Sequence, residues 1–296
     1  MLPARCPKYP RGVTAPVSTK PRRVRAPTGD LASFTRDAFA HAGVTHDVYF
    51  KGTGPAVLVL TELPSISPQV LGFADRIVAL GCTAVLPDLF GRAGRDPLAG
   101  GALGRSLYAL HSMATVCISR EFTLLATGRS SSVVDWLRML AAHAHQRSGG
   151  PGVGVVGMCF TGGFGLAIAA DPIVLAPVLS QPSLPFGLTA ARKRSIDCDS
   201  QTIDAVGHRC ARENLRVLGL RFRDDPFVPA ERFQLLRERL GDGFIAVELD
   251  QSSGHPAGPL PRHHSVLTVD LIDEPGEPTR AALDQVLEFL RIRLLP

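Results

Sequence analysis

Residues 152–164 read Gly-Val-Gly-Val-Val-Gly-Met-Cys-Phe-Thr-Gly-Gly-Phe, a β-branched run that ends in a glycine, a cysteine and two more glycines before the pattern turns helical. A strand-to-helix turn tight enough to lift one side chain into solvent crowds that residue's neighbours, so small residues must flank it. Gly157 and Gly162 stand at those places around Cys159. The helix expected from Phe164 onward aims its amino end at Cys159, where backbone N–H groups and the helix dipole favour a thiolate and a developing oxyanion. The chemistry this predicts is nucleophilic attack by a thiol, with the Phe160 N–H as one oxyanion donor.

Two plainer readings compete. The same stretch matches Gly-x-Gly-x-x-Gly through Gly152, Gly154 and Gly157, with Asp171 as a ribose-binding acid. In a dinucleotide site, however, the glycines follow the strand and open the helix. Here they alternate with valines inside the strand, and Asp171 falls at the end of a helix. The other reading is a cysteine that merely packs between strand and helix, as small hydrophobes often do. The nucleophile is preferred to both.

The elements that must position such a thiol follow from hydrophobic periodicity. Strands are expected at 45–51, 56–60, 82–86, 152–158, 173–179, 215–222 and 244–249. Helices are expected at 68–80, 130–145, 164–170, 229–240 and 279–294, with one or two more near 107–114 and 119–126. Residues 190–210 read as a polar stretch. Most of the strands are apolar on both faces and alternate with helices, which predicts an α/β fold with a mostly parallel central sheet covered on both sides. In such sheets ligands bind at the carboxyl ends of the strands. Glu62 follows one strand end, Asp88 and Arg92 the next, Cys159 the next, Asp224 and Asp225 a later one, and His255, His263 and His264 the last. Nucleophile, then acid, then histidine is the chain order of the α/β-hydrolase fold.

Taken together these segments resemble the dienelactone hydrolase family over about residues 35–295. Gly157-Met-Cys159-Phe-Thr-Gly-Gly is similar to the family's Gly-x-Cys-x-Gly-Gly elbow, Asp225-Pro-Phe-Val-Pro229 to its Asp-x-x-Val-Pro segment, and His264-Ser265 to its His-Ser pair. The resemblance implies a Cys159–His264–Asp225 triad cleaving an ester or lactone through a thioacyl-enzyme, without cofactor or metal. It also implies Leu63 N–H as the second oxyanion donor, Glu62 as a carboxylate touching the resting thiol, and Arg92 as a substrate-carboxylate ligand. Asp224 and His255 remain the alternatives to Asp225 and His264. A carboxylate at a strand end and an arginine paired with Asp88 are the plain readings of Glu62 and Arg92. There are two departures: Thr161 stands two residues after the cysteine, where the family has glycine, and Thr268 stands where it has a second anion-binding arginine. The first predicts a tighter elbow, and the second detaches the chain from a dicarboxylate-like substrate.

Charge and cysteines bound the rest. The chain of 296 residues has 32 basic and 27 acidic side chains, but seven of the basic ones lie in residues 1–29 with no acid, leaving 25 basic against 27 acidic beyond. Residues 1–30 are therefore expected to be a disordered basic tail, and 31–296 a single domain without a basic footprint for nucleic acid. Apolar runs fall short of the roughly 18 residues a membrane span needs, and the first 30 residues lack the apolar core of a signal peptide. Six cysteines in no paired spacing point to a reducing, cytoplasmic setting. A catalytically silent binding protein and a nucleotide-binding oxidoreductase are the alternative functions.

Overall fold

Apolar runs such as Ala56–Leu60 and Val153–Met158 have no polar face to turn to water, so they pair where helices cover both sides of a sheet. The computed structural model describes residues 27–91, 93–96, 132–250 and 263–295. Among the described residues there are eight strands: β1 (Thr35–His41), β2 (Val44–Gly52), β3 (Ala56–Leu60), β4 (Thr83–Pro87), β5 (Val153–Met158), β6 (Val174–Ser180), β7 (Val217–Phe222) and β8 (Phe244–Leu249). They form one sheet in the order β1-β2-β4-β3-β5-β6-β7-β8. The pairings from β4 through β8 are all parallel, whereas β2 runs antiparallel to both of its neighbours. The expected α/β fold with a mostly parallel sheet is the fold observed.

The described helices are α1 (Pro68–Ala79), α2 (Ser132–Ser148), α3 (Gly162–Ile168), α4 (Ala190–Lys193), α5 (Ser200–Arg212), α6 (Ala230–Leu240) and α7 (Pro278–Leu294). Alternate residues of the inner strands feed two cores. Val57, Val59 and Val156 face α1 and α7 through Phe73, Ile77, Val286 and Leu290. Leu58, Leu60 and Val155 face the other layer, with Trp136 and Leu140 of α2, Leu166 of α3 and Phe233 of α6. Each such side chain contributes about 2 kcal/mol when removed from water, so the sheet is a rigid floor for the loops at its carboxyl edge.

The elements that differ from the sequence reading include β1 and α5. β1 is an edge strand with most of its residues exposed, so it carries no apolar alternation to betray it. α5 replaces the expected polar stretch. Its inward residues Ile203, Val206 and Cys210 recur at helical spacing, and the Asp199 carboxylate caps its first turn by accepting the Thr202 N–H at 2.8 Å. The helices expected near 107–114 and 119–126 lie outside the described residues, as do residues 1–26 of the expected tail. Gly29 already donates its N–H to the Pro68 carbonyl, ahead of the expected domain start. No helix among the described residues is long and apolar enough to cross a membrane.

Candidate active site

The carboxyl end of β5 leads into a 3-10 turn, Cys159–Thr161, and then directly into α3. Cys159 has φ +52°, a left-handed conformation that an L side chain occupies at a cost of about 1–2 kcal/mol. Close packing around the turn maintains it. A Cβ on Gly157 would stand 2.6 Å from the Thr161 carbonyl oxygen, and one on Gly163 would stand 2.3 Å from that of Asp197. Thr161 fits where the family has glycine because its backbone is ordinary, with φ −89°. Its hydroxyl lies 2.8 Å from the Leu60 carbonyl and accepts the Met158 N–H at 3.0 Å. The larger side chain thus ties the elbow to the end of β3. The glycines of the dinucleotide-like pattern serve packing: Gly154 lies inside β5, paired with Val57 of β3 on one side and Ala176 of β6 on the other, and a Cβ there would press on Leu290, Leu294 and Val57.

The loop after β7 brings Asp225 against His264. His264 Nδ1 lies 2.6 Å from Asp225 Oδ2 with both side chains buried, and the other carboxylate oxygen accepts the Phe227 N–H at 2.9 Å. Asp225, not the adjacent Asp224, therefore faces the histidine. Asp270 holds the histidine's own backbone, accepting the N–H of His264 at 2.8 Å and of Ser265 at 3.1 Å. Burial disfavours the imidazolium, but the charge and hydrogen bonding of Cys159 and Asp225 outweigh it and hold His264 well above the usual histidine range. The structure thus brings Cys159, His264 and Asp225 into one electrostatic unit. His255 and Arg92 lie outside the described residues. His263 is buried with its ring against Phe222 at 5.4 Å, away from a triad role.

Glu62, expected to touch the resting thiol, makes its hydrogen bonds with other side chains. Buried at the end of β3, it accepts the Ser265 hydroxyl at 2.7 Å, the Gln181 amide at 3.2 Å and the Thr268 hydroxyl, and none of its hydrogen bonds goes to Cys159. The three donors converge from the histidine loop and the end of β6 and draw the carboxylate toward that loop. Burial pushes the Glu62 carboxyl up, opposed by the hydroxyls of Thr268 and Ser265. Thr268, at the position of the family's second arginine, is thereby a hydrogen-bond donor to Glu62. Asp88 accepts the Gly91 N–H at 2.9 Å and the Ser65 hydroxyl at 3.1 Å, shaping the turn that leads to Arg92.

Besides its interaction with His264, the Cys159 sulfur lies within hydrogen-bond distance of Ser183, with Oγ 3.2 Å away. Sequence reasoning passed over this residue, although it follows β6 and the strand-end rule reaches it. Phe227 sets its ring edge-on to His264 at 5.6 Å and meets Phe186 at 6.1 Å, while Phe90 meets Phe160 at 5.9 Å. Phe160 is buried, and Leu63, Phe90, Phe186 and Phe227 are partly buried against the same apolar core as Cys159. Of the other described cysteines, burial pushes Cys82 up to about 11 and raises Cys198 and Cys210 as well, so all three stay protonated near neutral pH.

A mostly parallel sheet with a strained elbow after β5, an acid after β7 and a histidine after β8 defines an α/β-hydrolase. Residues 46–255 match the model of the dienelactone hydrolase family, and the chain belongs to that family, a carboxylic ester hydrolase. No curated protein matches the sequence. Solved structures share its fold. A putative dienelactone hydrolase from Klebsiella pneumoniae is 14% identical with TM-score 0.52, over 86% of this chain and 97% of its own. A cold-adapted esterase from an Arctic intertidal metagenomic library, in complex with polyethylene glycol, is 15% identical with TM-score 0.53, over 88% of this chain and 95% of its own. An esterase of Pyrococcus furiosus is 14% identical with TM-score 0.53, over 88% and 91%.

Proposed function

We propose that the protein cleaves a small ester or lactone through Cys159, His264 and Asp225 by way of a thioacyl-enzyme. The observation that carries this reading is the buried His264–Asp225 pair at 2.6 Å, electrostatically joined to a cysteine in a strained elbow. The Cys159 sulfur attacks the carbonyl carbon, and negative charge collects on its oxygen between the N–H groups of Phe160 and Leu63. The C–O bond breaks as His264 delivers its proton to the departing alcohol, or to the ring oxygen of a lactone, leaving a thioester on Cys159. His264 then takes a proton from water, whose oxygen attacks the thioester. Collapse of that intermediate releases the acid and the thiolate. Much of what holds a proton on His264 is the sulfur's charge. Acylation cancels that charge, so the imidazole gives up its proton more readily just when a base is required.

The aromatic surroundings and the engagement of Thr268 with Glu62 favour a substrate whose acyl or alcohol part is apolar or aromatic. Arg92 is the side chain proposed to meet a carboxylate where the substrate has one. We take the setting to be cytoplasmic, supported by unpaired cysteines in the sequence, and the partner to be a small molecule, not nucleic acid or membrane. The test is hydrolysis of a panel of aryl esters and lactones, with mass spectrometry of the enzyme quenched during a slow substrate. Turnover with an acyl adduct on Cys159, both lost in Cys159→Ala, is expected. Full turnover by Cys159→Ala would overturn the nucleophile. No turnover on the whole panel would favour a silent binding protein, and saturable binding of a nicotinamide or flavin cofactor would favour an oxidoreductase.

A further inference from the structure

Ser183 lies on the loop after β6, 2% exposed, in contact with the sulfur that the proposed reaction uses. Three contacts fix it there. Its N–H donates to the Cys159 carbonyl at 2.9 Å, so the two residues are joined through backbone as well as side chain. The preceding residue, Pro182, packs against Gly162 so closely that a Cβ on that glycine would come within 2.5 Å. The Pro182 carbonyl accepts a hydrogen bond at 2.6 Å from Arg232, a fully buried guanidinium that also binds the carbonyls of Ser195, Pro185 and Phe227. Among the described residues, the Cys159 sulfur is the hydrogen-bond partner of the Ser183 hydroxyl, and no other is seen. While Cys159 is a thiol either atom can donate, but a buried hydroxyl proton without an acceptor is costly and the sulfur is the acceptor within reach. A thiolate can only accept, which makes this bond strongest in the ionised state.

We propose that Ser183 is a catalytic residue whose hydroxyl donates to the Cys159 thiolate and so stabilises the ionised form of the nucleophile. This rests on the reading of Cys159 as nucleophile. The hydrogen bonds of Glu62 go to Ser265, Thr268 and Gln181, whereas Ser183 is within hydrogen-bond distance of the sulfur. The donor stabilises the thiolate twice, as the resting nucleophile and as the group expelled when water has attacked the thioester. In the thioester itself the sulfur is a poor acceptor, so acylation weakens the bond and each deacylation restores it.

A stabilised thiolate is more abundant at low pH but intrinsically less reactive once every cysteine is ionised. The test is therefore the rate of iodoacetamide labelling of Cys159, followed by peptide mass spectrometry at about pH 6 and about pH 9. Ser183→Ala should label about tenfold more slowly than wild type near pH 6 and at least as fast near pH 9. Ser183→Thr, which keeps the hydroxyl, should follow wild type at both. Should circular dichroism show Ser183→Ala unfolded, Ser183→Gly supplies the same loss of hydroxyl. Equal labelling of wild type and hydroxyl-less variants near pH 6 overturns the proposal, as does a uniform slowing at both pH values, which marks a packing role. Labelling reads the thiolate without any substrate. Full ester turnover by Cys159→Ala would instead defeat the nucleophile assignment, so the two failures are distinguishable.

Discussion

The Glu62 carboxylate accepts the hydroxyl of Ser265 at 2.7 Å, tying the end of β3 to the residue that follows His264. Together with Thr268 and Gln181 it forms a buried junction between the histidine loop and two central strands. Glu62→Ala strands these donors without an acceptor, and a loss of about 2 kcal/mol of stability is expected. Turnover should fall with it, because the imidazole loses its anchor. Urea unfolding read beside kcat checks this. A variant of wild-type stability would show that the junction contributes nothing.

His264→Ala should slow acylation by about 100-fold or more. Asp225→Asn should come close to it, because the amide cannot hold the imidazole in the required tautomer. Asp224→Asn and His255→Ala should each be mild. Stopped-flow acylation with an aryl ester separates the four. A large loss in His255→Ala with near-normal His264→Ala would move the base to a residue outside the described part of the chain.

Capping the sulfur as a mixed methyl disulfide removes its charge. The His264 imidazolium, held well above the usual range in large part by that charge, should then lose its proton at a lower pH than in the free enzyme. NMR titration of the imidazole reads the direction. An unchanged titration would mean that Cys159 and His264 are not coupled.

Asp197 is pushed up to about 6 by burial, opposed by the charge of Arg232. Its folded value lies above its unfolded one, so the folded state binds more protons between about pH 4 and pH 6, and stability falls as pH rises through that window. Asp197→Asn should therefore raise Tm at pH 7 and above and leave it unchanged below about pH 4. A lower Tm at neutral pH would show that the pairing with Arg232 outweighs burial.

Arg232 is itself lowered to about 10 by burial, opposed by Asp225 and Asp197. Its hydrogen bonds to the carbonyls of Pro182 and Phe227 join the loop carrying Ser183 to the loop carrying Asp225. Arg232→Met keeps most of the bulk and removes the donors, and a loss of about 3 kcal/mol is expected, measured by urea unfolding. If stability were retained with full activity, the two loops would not depend on the guanidinium.

Much of this protein is set locally and was legible from the chain itself. Continuous apolar strands, which have no face to offer water, dictate a covered parallel sheet, and Ala56–Leu60 and Phe244–Leu249 are strands over the very residues expected. The elbow is legible for the same reason, since crowding at a tight turn is a constraint between near neighbours such as Gly157 and Thr161. The Val-Pro register beside Asp225 likewise pointed past Asp224. β1 escaped because an exposed edge strand has no pattern to read. What only the tertiary structure decided are contacts between distant strand ends, where spacing along the chain carries no information about direction in space. Glu62 was expected at the thiol and is held by Ser265 and Thr268, more than 200 positions away along the chain. Ser183 meets Cys159 because β5 and β6 are neighbours in the sheet and end side by side, a relationship made by the parallel pairing Met158 with Ser180 and by no motif.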